Sequence, residues 1–200
     1  MPKPYVPNDH WSRRAAEEGY RARSVYKLQE LDERFKLLQP GMTVLDLGAA
    51  PGSWLQYVSQ QIGEAGKAIG FDLQAIHEVA PNVSVHRLDI TDAVAMERAL
   101  DEEEVGFVDL VLSDAAPNTS GVRDVDQWRS VELAQAVLAV AARFLKKDGR
   151  CALKVFRGGD FDELVRDIKT RGVWRDVRIT KVQASRDRSR EVYLVLTKRV

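Results

Sequence analysis

A short apolar strand that breaks into a glycine turn and resumes as a helix limits the folds open to this chain more than any other feature. It reads Val44-Leu45-Asp46-Leu47-Gly48-Ala49-Ala50-Pro51-Gly52-Ser53-Trp54. Gly48 and Gly52 allow the backbone to approach a ligand closely, and a helix starting here offers free N–H groups in its first turn. The spacing is G-x-x-x-G rather than the G-x-G-x-x-G of dinucleotide enzymes, and no Gly-Lys-Ser/Thr follows as in a phosphate-binding loop. A nucleoside ligand fits this turn better than a pyrophosphate.

Such a unit needs sheet neighbours, and the rest of the chain supplies them. Apolar runs at 43–47, 68–71, 83–88, 108–113 and 150–156 read as strands, and 53–62, 93–104, 125–144 and 161–170 read as helices. Two further β-rich runs, 177–182 and 192–197, are joined by an arginine-rich segment with no helix between them, which predicts an antiparallel C-terminal hairpin at the sheet edge. The whole is an α/β pattern: a doubly wound, mostly parallel seven-stranded sheet with ligands at the carboxyl ends of its strands. Ahead of it, Val25, Leu28, Leu31, Phe35 and Leu38 recur at helical steps, predicting one helix over 12–38 that Pro40-Gly41 stops. Residues 1–11, proline-rich at their start, read as a flexible leader, and 12–200 as a single domain.

Thirty Lys/Arg balance thirty Asp/Glu, but the charges are segregated. Residues 86–132 hold four basic and twelve acidic side chains, whereas 164–200 hold eleven basic and four acidic. A basic C-terminal end points to a polyanionic partner. The lone Cys151 excludes an internal disulfide and reads as strand packing, and His10, His77 and His86 lack metal-ligand spacing, so no metal is expected. No apolar run is long enough to span a bilayer, which predicts a cytoplasmic protein without membrane contact.

Three aspartates close successive strands. Asp72, twenty residues beyond Gly52, is placed to accept hydrogen bonds from ribose hydroxyls; Asp89 and Asp114 end the next two strands in the same way. The last lies in Ser113-Asp114-Ala115-Ala116-Pro117-Asn118, which is not the Asn/Asp-Pro-Pro-aromatic motif of enzymes that methylate base amino groups. A hydroxyl acceptor fits better.

Taken together, L-D-L-G-A-A-P-G-S-W, S-D-A-A-P-N, L-K-V-F ending at Phe156 and S-R-E-V-Y ending at Tyr193 resemble the FtsJ-like RNA ribose 2′-O-methyltransferases, from about Arg21 to Arg199. The resemblance implies a Rossmann-like methyltransferase fold and S-adenosylmethionine as methyl donor. It also implies a Lys-Asp-Lys-Glu tetrad, which by motif position is Lys27, Asp114, Lys154 and Glu191. The donor site it implies comprises Gly48, Ala49, Pro51, Gly52, Trp54, Asp72, Asp89 and Asp114, with Trp54 beside the methionine part. Within the family the likeness is to bacterial members that methylate a uridine of 23S ribosomal RNA in the large subunit. A tRNA ribose methyltransferase and a non-catalytic RNA-binding module are the alternatives. Ser53 stands where a second glycine is frequent and Ala115 where a larger apolar residue is usual, both bearing on the shape of the donor pocket.

The chemistry can also be argued from the residues. A ribose hydroxyl is a weaker acid than a tyrosine phenol of pKa ~10, so its methylation benefits from a placed proton acceptor. Lys154, in an otherwise apolar strand, is the candidate; Asp114 would hold it, Lys27 would orient the hydroxyl or stabilise developing charge, and Glu191 would complete the network. Arg21, Arg23, Arg186, Arg188 and Arg190 are the expected phosphate contacts of an RNA, and a monomer is the expected state.

Overall fold

The computed structural model describes residues 10–117, 120–185 and 189–199. In chain order the elements are α1 (His10–Glu17), α2 (Val25–Phe35), β1 (Thr43–Leu47), α3 (Ser53–Ile62), β2 (Lys67–Asp72) and β3 (Val83–Arg87). They continue with α4 (Ala93–Glu102), β4 (Val108–Ser113), α5 (Arg123–Phe144), β5 (Leu145–Phe156), α6 (Phe161–Thr170), β6 (Trp174–Thr180) and β7 (Glu191–Lys198). The seven strands form one sheet in the order β3-β2-β1-β4-β5-β7-β6. The first five are mutually parallel, and β7 runs antiparallel to both β5 and β6. The winding direction reverses between β1 and β4, which opens a crevice above their carboxyl ends.

Strand alternation divides the core in two. Leu45, Leu47, Ile69, Phe71, Val111 and Leu153 pack against Met96, Val137 and Leu164 of α4, α5 and α6. Val44, Ala68, Leu110, Leu112 and Ala152 face the other way, onto Leu28, Leu31, Leu55 and Val58 of α2 and α3. Gly70 brings α3 close to β2, since a Cβ there would lie 2.6 Å from Leu55 Cδ1. Period two then assigns every polar side chain of these strands to a face: Asp46 follows Val44, Lys154 follows Ala152, and both belong to the α2/α3 side.

Two expectations are corrected. The single helix over 12–38 is two helices, because Gly19 takes a left-handed φ of 77° and closes α1, Tyr20 N donating to Ala15 O at 2.8 Å. Helix α1 starts at His10, so His10 and Trp11 of the expected leader are helical, Trp11 packing against Tyr26; residues 1–9 lie outside the described ones. The antiparallel C-terminal hairpin forms at the sheet edge as expected, with β7 inserted between β5 and β6 so that β6 is the outermost strand. The apolarity of the two strands accounts for this. In β7 only Thr197 is not buried, as an interior strand requires, while β6 exposes Arg175 and Arg178. Cys151 is fully buried in β5, where burial pushes its thiol pKa up.

Candidate active site

The glycine turn after β1 is tied to the end of β2. Gly48 N and Ala49 N both donate to Phe71 O, at 2.7 and 3.0 Å, and Ala50 N donates to Asp72 Oδ2 at 2.9 Å. Gly48 has φ 78°, and a Cβ on it would sit 2.5 Å from Ala115 Cβ, so the turn after β1 and the loop after β4 touch only because Gly48 has no side chain. Ala115, the small residue of the second motif, permits the same contact.

Above these ends lies a cavity of about 700 Å³ lined by Gly48, Ala50, Asp72, Asp89 and Asp114, with apolar walls that include Leu73, Ile90 and Leu133. Its volume and mixed lining suit a nucleoside-sized ligand. Asp89 is held as a turn former, its Oδ1 accepting from Thr91 N and Oγ1 at 2.9 and 2.8 Å. A second hollow, about 40 Å³, lies where Asp46, Gly48, Ala49, Ser53, Trp54 and Asp114 meet. Trp54 faces this smaller hollow, 3% exposed, with Nε1 donating to Ser24 O at 2.8 Å. Pro51 and Gly52 line neither space. They turn toward Arg21, whose Nη1 reaches Pro51 O at 3.1 Å.

The four tetrad residues come together from four elements at the α2/α3 face. Lys27 of α2 lies 3.3 Å from Asp114 Oδ2 and 2.9 Å from Glu191 Oε1, the latter without hydrogen-bond alignment. Lys154 Nζ donates to Asp114 O at 2.5 Å and lies 3.1 Å from Asp114 Oδ1. Tyr193, two residues beyond Glu191 on the same face of β7, donates its phenol to Asp114 Oδ1 at 2.6 Å. Burial works against the Asp114 charge, but the Lys154 and Lys27 ammoniums and the Tyr193 hydrogen bond outweigh it and hold the carboxyl below its ordinary range. Burial likewise opposes ionisation of Glu191, and Lys27 with Ser185 brings it below the ordinary value. Tyr193 is pushed the other way, by burial first and then by Asp114 and Glu191, so its phenol stays a donor. The result is one carboxylate holding two ammoniums beside a nucleoside-sized cavity.

Two site residues carried no expected role. Asp46 is 1% exposed, its Oδ2 has no partner, and burial together with the charges of Asp114 and Asp72 raises its pKa well above normal. An acid in an otherwise apolar strand flanking a ligand turn was the available signal. Tyr193 could have been found from its hydroxyl, which a buried strand obliges to find a partner.

Of the arginines expected to meet RNA, Arg21 and Arg23 are engaged within the protein. Arg21 donates to the carbonyls of Pro51, His77 and Glu78, at 3.1, 2.8 and 2.5 Å, and so pins the loop after β2 to the glycine turn. Arg23 Nη2 donates to Ala184 O at 2.6 Å. Both are placed as structural ties. Arg186 and Arg188 lie outside the described residues. Arg190 borders a hollow with Arg157 and Lys181, two cations that residue patterns did not single out.

The comparisons agree with this geometry. The sequence profile of the FtsJ-like methyltransferase family matches residues 20–199. The chain is 43% identical to the "Ribosomal RNA large subunit methyltransferase E" of Bdellovibrio bacteriovorus over 96% of each protein. It is 44% identical to the same-named protein of Hahella chejuensis, over 94% of this chain and 90% of that one. A crystal structure of a Plasmodium falciparum protein described as a ribosomal RNA methyltransferase superposes with a TM-score of 0.79 at 27% identity, covering 90% of this chain and 98% of the other. Among the described residues no helix is long and apolar enough to cross a membrane. A nucleoside-sized cavity at the switch point, a lysine-rich cluster on its rim and a profile match along nearly the whole chain converge on one statement: this protein belongs to the FtsJ-like methyltransferase family.

Proposed function

We propose that this protein transfers the methyl group of S-adenosylmethionine to the ribose 2′-oxygen of a uridine in 23S ribosomal RNA of the large subunit. The observation that carries this reading is the Asp114 carboxylate at the rim of the cavity, with the ammoniums of Lys27 and Lys154 both within 3.4 Å of it. Relatives named for large-subunit ribosomal RNA support the substrate. The chain from α1 onward would act as one domain and a monomer, in the cytoplasm.

The residues present fit the donor. Asp72 offers its carboxylate to the ribose hydroxyls, and Asp89 with Leu73 and Ile90 bounds the space for the base. The Asp46 carboxyl, whose Oδ2 is buried without a partner in the small hollow beside Gly48 and Trp54, suits an α-ammonium. When bound, the donor supplies an electrophilic methyl on a sulfonium sulfur. The chain then has three tasks. Backbone and aspartates hold the ligands in line. Lys154, fixed by the Asp114 carbonyl and carboxylate, must first release its own proton to solvent; as the neutral amine it then takes the 2′-hydroxyl proton onto its lone pair as the new O–C bond forms and the C–S bond breaks, leaving an ammonium and a neutral thioether. Lys27, held between Asp114 and Glu191, faces the negative charge that develops on the oxygen.

Asp46 makes the donor step sensitive to pH. Its pKa is raised in the free protein, so below that value the carboxyl is protonated, and binding an ammonium there expels the proton. Donor affinity should therefore increase with pH above the ordinary 3.8 until the raised pKa is passed. Asp46→Asn should flatten this dependence and weaken binding about 10- to 100-fold, the worth of one charge-assisted hydrogen bond. Calorimetry in buffers of different ionisation enthalpy counts the released proton.

The reaction itself is tested by transferring labelled methyl from S-adenosylmethionine to ribosomal subunits and to tRNA from cells lacking this protein, then mapping the label. Label on the 2′-oxygen of a large-subunit uridine is the expected result. Label in tRNA alone overturns the substrate and keeps the chemistry, and no label in either overturns both.

A further inference from the structure

Where β5 ends and β7 begins, Phe156 pairs with Glu191, and one residue further out Arg157 N donates to Arg190 O at 2.9 Å. Arg157 and Arg190 thus leave the sheet side by side. Arg190 is adjacent to Glu191, and Arg157 lies about 10 Å of strand beyond Lys154. Between them and the start of α5 is a hollow of about 250 Å³ whose lining includes Arg123, Asp126, Gln127 and Phe156. A second hollow of about 420 Å³ shares Arg157 and Arg190 and adds Lys181 and Asp162.

The first hollow presents hydrogen-bond donors with little to receive them. The guanidiniums of Arg123, Arg157 and Arg190 form no ion pair with the described residues; Arg157 only stacks on the Phe161 ring at 5.7 Å. The one carboxylate in the lining, Asp126, is engaged with Ser120 N, Ser120 Oγ and Gly121 N, at 2.6, 2.8 and 3.1 Å. Gln127 is 7% exposed, and its Nε2 is buried without an acceptor. Gly158 is packed against that amide, since a Cβ there would fall 2.4 Å from Gln127 Cδ. A buried amide donor without an acceptor is costly, and placed beside three guanidiniums it calls for a ligand rich in acceptor oxygens and negative charge.

We propose that Arg123, Gln127, Arg157 and Arg190 form a phosphate subsite that holds the substrate RNA backbone next to the target ribose. The inference rests on the RNA reading above and deepens it by giving the strand a path, from the tetrad toward the first turn of α5 rather than across Arg21 and Arg23. Lys181 in the adjoining hollow continues that path. Phosphate contacts of this kind set position and register without reading bases.

The test uses the full-length protein with large ribosomal subunits from cells lacking it. Arg157→Ala removes an exposed side chain, and Gln127→Leu keeps the buried volume while deleting the amide. Arg157→Ala should raise KM for the subunit about tenfold, leave the single-turnover rate at saturation within twofold, and lower the log–log salt slope of binding by about 0.7, the value for one contact to a single strand. Gln127→Leu, which removes no charge, should raise KM about three- to tenfold with the slope unchanged. Arg171→Ala, at the far end of α6, is the control and should change neither quantity. Wild-type KM and slope in both variants, with the wild type still methylating subunits, would overturn the subsite and leave the proposed function standing. Equal losses in Arg157→Ala and Arg171→Ala would replace it by a diffuse field. A wild type that neither binds nor methylates subunits would overturn both.

Discussion

Lys154→Met is expected to lower the single-turnover rate of methyl transfer by about 10²- to 10⁴-fold, the usual worth of a placed general base. Donor affinity should stay within about threefold. Methionine keeps most of the apolar stem, which matters because Lys154 is 8% exposed in the middle of the sheet and alanine would leave a cavity. Asp114 retains Lys27 and Tyr193 as partners in this variant, so the donor cavity should keep its shape. The residual rate should rise with pH, since the 2′-hydroxyl must then lose its proton to solvent. A variant turning over at the wild-type rate with saturating donor and RNA would remove Lys154 from the chemistry and leave alignment as the main source of catalysis.

The second large effect is on stability. Asp114→Ala should cost about 3–5 kcal/mol in urea denaturation, because it leaves partly buried ammoniums and a phenol without their common acceptor. The side chains of Lys27 and Lys154 are 12% and 6% exposed, so solvent can compensate little of the loss. The double variant Asp114→Ala/Lys154→Met should recover part of the stability, the two changes departing from additivity by about 0.5–3 kcal/mol as expected for one network. Strict additivity would mean that Lys154 is held by the Asp114 carbonyl alone, and that the carboxylate serves only the cavity.

Local pattern made much of the site legible. Strand alternation and the glycine turn located Gly48, Asp72, Asp89 and Asp114 at the carboxyl ends of their strands, because those signals depend on near neighbours in the chain. Asp72, Asp89 and Asp114 all line the cavity, and Asp114 links it to the lysines. The arginines were less legible. A guanidinium has five donors and a long stem, and whether they meet a phosphate or a carbonyl depends on what the fold brings near. For Arg21 it brings the carbonyls of Pro51, His77 and Glu78, 30, 56 and 57 residues away.

The same division of range runs through the whole molecule. The order of strands and helices, the core faces and the ligand turn followed from periodicity and from φ-permissive glycines, properties that residues carry with them. The break between α1 and α2, the insertion of β7 between β5 and β6, and the unpaired amide of Gln127 beside Arg157 did not. They depend on contacts between residues far apart in the chain. Strand order is chosen by which edges can be dry, and a buried polar group is defined only by what surrounds it after packing. Lys27, Asp114, Lys154 and Glu191 show both ranges at once. Local motif carried each residue's identity, and the sheet order, with α2 laid across it, is what sets Lys27 2.9 Å from Glu191.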